Sequence, residues 1–391
     1  MNLKGMIRRS VMDTPPSGIR KYFDLINEMK DAISLGIGEP DFETPWSVRE
    51  EGIWSLEKGK TFYSSNAGFI ELRMEIAKYM GERFSLPYDP YTEVLVTVGG
   101  SEAIDLSLRM LVGPGDEVLI PEPCFVAYKG CTLFTGATAV PIPLKAENRF
   151  RLQPEELLAA ITPRTKVLII GYPNNPTGAT MDREDYEKIV AVLRDRDIVV
   201  ISDEIYAELL YEGKHASIAQ FPEMRDRTLI VNGFSKTYAM TGWRIGFACC
   251  HPDFMEQMKK IHQLTLMCSP TTAQFAAIEA LRGGAPEVER MVAEYNRRRR
   301  LMVDGFRRVG LDCFEPLGAF YVFPDIRKSG FTSDQFCERL LLEEKVLMIP
   351  GAAFGECGEG FARATYATSM DNIREALIRI GRFMKTHADI S

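Results

Sequence analysis

In the stretch VNGFSKTYAMTGWRIGFACC, residues 231–250, Lys236 stands between a short apolar strand and a second apolar run, and Arg244 follows eight residues later. Gly, Ser, Thr and Tyr around the lysine suit a loop. Phe234, Met240, Trp243, Ile245 and Phe247 set that loop against a packed wall. Burial there would lower the lysine pKa and leave a nucleophilic amine. Three other stretches carry polar groups at comparable places. VVISDEIY puts Asp203 just past an apolar run, where an acid either does chemistry or turns the chain. YPNNPTG points the amides of Asn174 and Asn175 from a strand end. TVGGSEAIDLSLRML passes from a strand through a Gly-Gly turn into a helix starting near Ser101, whose free N–H groups and dipole suit an anion. Taken singly, each of these is equally well explained as a structural turn.

The elements that must position these groups follow one pattern. A β-branched apolar run ends in Gly, Pro, Asn, Asp or Ser, and a helical segment usually follows: EVLVTVGGSEA, DEVLIPEPCF, KVLIIGYPNNPTG, DIVVISDEIY, TLIVNGFSK. Such alternation predicts crossover units and an α/β fold with a mostly parallel sheet between helices. Ligands of such sheets bind at the carboxyl ends of the strands, where these polar residues fall. At LRGGAPEVER two glycines end one helix and Pro286 suits the first turn of the next. Beyond it, strand-like GAFYVFPDI, a capped helix in TSDQFCERLLLEEKV, strand-like ARATYAT and a final helix form a smaller α+β unit.

Composition sets bounds on the function. The 391 residues are 46% hydrophobic and 26% charged, as in an ordinary globular protein of two domains. A formal net charge of −7 argues against a general nucleic-acid binder, and the run Arg297–Arg300 reads as the solvated side of a long helix. No stretch suits a signal peptide or a membrane span, which predicts a cytoplasmic protein. Eight cysteines without a Cys-x-x-Cys pair and four scattered histidines predict reduced thiols and no metal site.

Together, an anion-binding turn, an aromatic loop, an amide, a carboxylate, a lysine and an arginine match the needs of pyridoxal 5'-phosphate. From about Ser17 onward the sequence resembles the class I/II aminotransferases, the fold type I pyridoxal-phosphate enzymes. SLGIGEPDF, YSSNAGFIELR, NNPTG, SDEIY and SKTYAMTGWRIG stand in family-like order and spacing. The resemblance implies residues 1–45 as an N-terminal arm and segment joining the small domain, 46–284 as the large cofactor-binding domain, and 285–391 as the small domain. It implies that Lys236 forms a Schiff base with the cofactor aldehyde and then shuttles a proton, and that Asp203 pairs with the pyridine nitrogen. Tyr206 and Asn175 would bond the ring oxygen. Gly100, Ser101, Glu102, Ser235 and Arg244 would hold the phosphate, and Phe125 would stack on the ring. Arg363 in FARATYAT, helped by Gly38, would take the substrate carboxylate in a fork.

Further implications concern partners and reaction. Tyr63 would reach the phosphate of the neighbouring subunit, making the active unit a homodimer, and the segment PPSGIRKYFDLI would cover the substrate site. Many relatives carry a hydroxyl residue where this chain has Gly233, and Trp or Tyr where it has Phe125. The leading expectation is transfer of an amino group from an L-amino acid to a 2-oxo acid, with 2-oxoglutarate as acceptor, by a ping-pong cycle. A carbon–sulfur β-lyase of the same fold is the alternative. A cofactor-binding regulator would need an added DNA-binding module, for which the roughly 30 residues before SLGIGEPDF leave no room. Arg109 is placed either to meet a distal substrate carboxylate or to form a helix-surface ion pair.

Overall fold

The computed structural model describes residues 3–14, 18, 29 and 31–387. PPSGIRKYFDLI therefore lies, but for Gly18, outside the described residues. Strand β1 (Ile33–Ser34) precedes a seven-stranded sheet built from β2 (Val94–Thr97), β3 (Glu117–Glu122), β4 (Thr138–Pro143), β5 (Thr165–Gly171), β6 (Val199–Asp203), β7 (Thr228–Gly233) and β8 (Gly246–Cys249). Their order across the sheet is β2-β8-β7-β6-β5-β3-β4. All neighbours from β7 to β4 pair in parallel, and β8 alone runs against both β7 and β2.

The apolar runs that marked these strands have a direct cause in their packing. Alternate side chains of β5, β6 and β7 enter two different cores: Leu168, Ile170, Val200 and Ile230 one, Val167, Ile169, Ile201, Leu229 and Val231 the other. A strand buried on both faces needs apolar residues at every position, so it lacks the alternation of a half-exposed strand. β4 escapes that signature because it lies at the sheet edge, where Pro141 and Pro143 can be accommodated.

The break near residue 284 is present: one helix runs Thr271–Gly283 and the next, Ala285–Arg308, carries Pro286 in its first turn. Past it lie β9 (Tyr321–Val322), β10 (Val346–Leu347), β11 (Ile349–Pro350) and β12 (Ala362–Thr365). They form a β11-β12-β9 sheet and a parallel β1-β10 pair, so the chain near Ile33 returns to the C-terminal strands. Thr332 and Gln335 form a reciprocal capping box at the start of the helix Ser333–Glu344. None of the eight cysteines stands in a disulfide. Among the described residues no helix is long and apolar enough to cross a membrane, and no cluster could hold a metal ion.

The arginine run departs from expectation. Arg298 and Arg299 are 7% and 1% exposed, so half of Arg297–Arg300 faces inward. Arg298 Nη1 donates to both Asp41 oxygens, at 2.7 and 2.8 Å, and Arg299 bonds Glu315 and the Pro316 carbonyl. Four consecutive residues span more than one helical turn, so they cannot all point to solvent, and the two inward guanidiniums are tolerated because each is paired.

Close backbone packing at β8 fixes the turn before the helix Gly100–Leu111. A Cβ at Gly246 would stand 2.7 Å from the Gly99 carbonyl carbon and 2.9 Å from Gly100 N. Gly246→Ala should therefore destabilise the fold by about 1–3 kcal/mol, since backbone cannot step aside as a side chain would. Denaturant unfolding of the two proteins checks this; an unchanged midpoint would contradict the packing.

Candidate active site

The carboxyl ends of β5, β6 and β7 open onto a cavity of about 280 Å³. Gly38, Gly100, Ser101, Phe125, Asn175, Asp203, Tyr206, Ser235, Lys236, Arg244 and Arg363 all line it. Residues far apart in sequence converge because most of them stand at or just past the ends of strands in the seven-stranded sheet, while Gly38 follows β1 and Arg363 lies on β12. Glu102 and Tyr63 lie outside the wall. Glu102 turns its carboxylate to Val98 N–H and His262, while Tyr63 is 81% exposed.

Lys236 Nζ donates to the Gly38 carbonyl at 2.6 Å. Burial pushes its pKa down to about 8; Glu39 pulls it back up, and Arg363 and Arg244 add to the lowering. Asp203, also buried, shifts the other way, up to about 6. Tyr128 Oη donates to Asp203 Oδ2 at 2.7 Å and Ile205 N–H to Oδ1 at 3.2 Å, which limits the rise. An acid and a base, each pushed by burial toward its neutral form, thus share one cavity.

At the other end the helix Gly100–Leu111 begins at Gly99, φ +78°, with no side-chain cap. Its first N–H groups are left for a ligand, and the Arg244 guanidinium lies against the turn, 2.7 Å from where a Gly99 Cβ would be. Arg244 itself holds a left-handed φ of +54°, a strained state for a residue with a Cβ, and its side chain reaches back to Val98 O and Thr241 O. Gly233 has no room for a side chain: a Cβ would meet the Gly246 Cα at 2.9 Å.

Arg363 is 3% exposed, its guanidinium carbon 4.6 Å from the Tyr321 ring centre and 4.7 Å from that of Phe354. Nη1 donates to Asn175 Oδ1 at 2.9 Å and Nη2 to the Gly36 carbonyl at 2.5 Å, while Nε has no partner. Such a planar, desolvated donor set suits a carboxylate. Arg109, by contrast, pairs with Asp105 at 2.7 Å across one turn of its helix and does not line the cavity.

Two residues went unnoticed in the sequence. Tyr128 lines the cavity, packs edge-on to Phe125 at 5.7 Å and bonds Asp203; Gly171 makes room, since a Cβ there would stand 2.5 Å from the tyrosine hydroxyl. Its spacing of three from Phe125, within a helical start, was the available signal. Tyr321 bonds Tyr206, hydroxyl to hydroxyl, at 2.8 Å, joining β9 to the loop after β6.

The donor set fits pyridoxal phosphate on these grounds: an uncapped helix start beside a guanidinium for a phosphate, a buried amine for an aldehyde, and a buried carboxylate for a ring nitrogen.

Comparison with known proteins agrees. Residues 30–380 match the family described as aminotransferase class I and II. The Bacillus subtilis protein named "Putative aminotransferase YugH" is 48% identical over 374 residues, 96% of this chain and 97% of that one. The aspartate aminotransferase of Pyrococcus abyssi is 43% identical, covering 95% of this chain and 96% of its own. The crystal structure of an aromatic aminotransferase from Pyrococcus horikoshii superposes with a TM-score of 0.90 at 42% identity, over 94% of this chain and 99% of that one. With the fold, the cavity and the whole-length likeness in agreement, this chain belongs to the class I and II aminotransferases, a family whose cofactor is pyridoxal phosphate.

Proposed function

We propose that this aminotransferase moves the amino group of an L-amino acid to 2-oxoglutarate in two half-reactions on one pyridoxal phosphate, with Lys236 as the Schiff-base lysine. The observation that carries the reading is Arg363, a buried guanidinium with an unpartnered Nε in the same cavity as Lys236 and Asp203. An amino acid and a 2-oxo acid share only the α-carboxylate beside the reacting carbon, so one carboxylate fork serves both.

When bound, pyridoxal phosphate supplies an electron sink for the charge left as the substrate α-carbon loses its proton. The chain does the rest. Lys236 Nζ accepts and returns that proton, a task suited to an amine whose pKa burial has brought to about 8. Asp203 holds a proton on the ring nitrogen, and Tyr128 keeps the carboxylate oriented and ionised by donating to Oδ2. Tyr206 and Asn175 orient the ring oxygen, Phe125 covers the ring, and Gly100, Ser101, Glu102 through its backbone, Ser235 and Arg244 hold the phosphate. Gly38 and Arg363 fix the substrate carboxylate.

The proposed active unit is a homodimer in the cytoplasm. Trp46, Leu56, Phe62, Tyr63 and Leu264 are 60, 56, 81, 81 and 83% exposed, more apolar surface than solvent favours. Tyr63 would then reach the partner's phosphate site. We further propose the division of the chain at residues 45 and 284 into arm, large domain and small domain.

Three outcomes test this reading. Cofactor-free protein should capture pyridoxal phosphate at a rate that rises with pH and levels off above about 8, where Lys236 is neutral; a rate still climbing at pH 10 would mean an ordinary lysine. Tyr128→Phe should cut kcat by about 10-fold, the loss of one hydrogen bond to a charged group, and should shift the absorbance titration of the bound cofactor. In rapid-mixing spectra, an amino donor should convert the aldehyde form to the amine form and 2-oxoglutarate alone restore it, with Arg363→Lys weakening both halves by roughly 2–4 kcal/mol. Release of ammonia and pyruvate from cysteine conjugates, with no amine form reversible by an oxo acid, would make the protein a β-lyase instead.

A further inference from the structure

The helix Gly100–Leu111 has only half of a capping box. In the full motif the N-cap side chain bonds the third helical N–H, and the third residue reaches back to the N-cap N–H. Here the N-cap is Gly99, which has no side chain to offer. Glu102, at the third position, does reach back, accepting from Val98 N–H just beyond the cap. The missing half is the one that would compete with a phosphate for the free N–H groups. The half retained fixes the turn that aims them.

Glu102 is in turn held from behind. His262, near the end of the helix Pro252–Thr265, is fully buried, and its Nδ1 lies 2.6 Å from Glu102 Oε1. Its Nε2 has no partner. A carboxylate oxygen only accepts, so the Nδ1 that faces Glu102 is the donor of this bond. The second nitrogen is left without a bond, so the whole imidazole is committed to this single contact. The contact also answers an electrostatic difficulty. A carboxylate in the first turn of a helix is attracted to the same positive end that a phosphate uses. Tied to Val98 N–H on one oxygen and His262 on the other, the Glu102 carboxylate stays behind the turn, outside the cavity wall formed by Gly100 and Ser101.

We propose that His262 is a positioning residue for the cofactor phosphate: through Glu102 it holds the Val98–Ser101 turn so that the free N–H groups converge on the phosphate, without itself touching the cofactor. The role rests on the pyridoxal phosphate reading above, and it separates from a plain helix-to-helix staple by its ligand dependence. A staple acts on stability and on every ligand alike. A phosphate-positioning residue acts on pyridoxal phosphate and leaves pyridoxal, which lacks the phosphate, unaffected.

The experiment titrates cofactor-free protein with pyridoxal phosphate and with pyridoxal, read by absorbance, in the wild type, His262→Phe, His262→Asn and Glu102→Ala. The Phe variant keeps a buried ring and removes the donor, while Asn can place an amide N–H where Nδ1 stood. His262→Phe should weaken pyridoxal phosphate binding by about 10-fold or more, the loss of a bond to a charged group, and leave pyridoxal within about 2-fold. His262→Asn should recover most of the difference. Should His262→Phe not fold, the same selective loss is required of Glu102→Ala, which removes the carboxylate that both Val98 N–H and His262 meet. Equal weakening of both ligands, or no recovery with Asn, overturns the positioning role. A wild type that binds neither ligand overturns the cofactor reading itself, and with it this one.

Discussion

Keeping an ammonium and a carboxylate out of water in one cavity is the constraint around which this fold is organised. Lys236 titrates near 8 rather than 10.5, and Asp203 near 6 rather than 3.8. The signs matter. Because the lysine is lowered by folding, its contribution to stability is complete only above pH 10.5 and is lost as pH falls through 8. Because the carboxyl is raised, its contribution is complete only below its unfolded value and is lost as pH rises through 6. Near pH 7 both groups therefore oppose folding. The two apolar cores on either side of the seven-stranded sheet must supply that energy, and any ligand that pairs with both groups returns part of it.

The backbone is shaped to the same end. Gly99, Gly171, Gly233 and Gly246 stand where a Cβ would strike Arg244, Tyr128 or neighbouring main chain, so side chains are withheld wherever the cavity floor must come close. Arg244 in a left-handed conformation shows the opposite economy: strain is accepted at a residue whose charge is needed beside the helix start.

One short N-terminal segment ties the parts together. β1 pairs with β10, the Gly36 carbonyl accepts from Arg363, the Gly38 carbonyl accepts from Lys236, Thr241 donates to Glu39, and Asp41 accepts from Arg298. The carboxylate-binding arginine and the lysine are thus held by backbone oxygens two residues apart, so a shift of this segment moves both. That coupling gives Arg298, a residue of the long helix, a structural link to the site although it lies outside the cavity.

By itself the sequence determined the class of fold, the apolar runs that form strands with polar residues at their ends, the capping box at Thr332 and the break at the Gly-Gly pair, because these are local: they depend on runs, spacings and turn residues a few positions apart. It also put Lys236, Asp203, Asn175 and Arg363 forward as chemical groups, through motifs that stand in a fixed order. Tertiary structure decided what depends on neighbours distant in the chain. It turned Arg298 and Arg299 inward, set Arg109 against Asp105, joined Tyr128 to Asp203 across 75 residues, and brought His262 against Glu102 across 160. The reason is physical: pattern reveals which face of an element avoids water, whereas the partner of a buried polar group is fixed only when the elements have packed and each donor must find its acceptor.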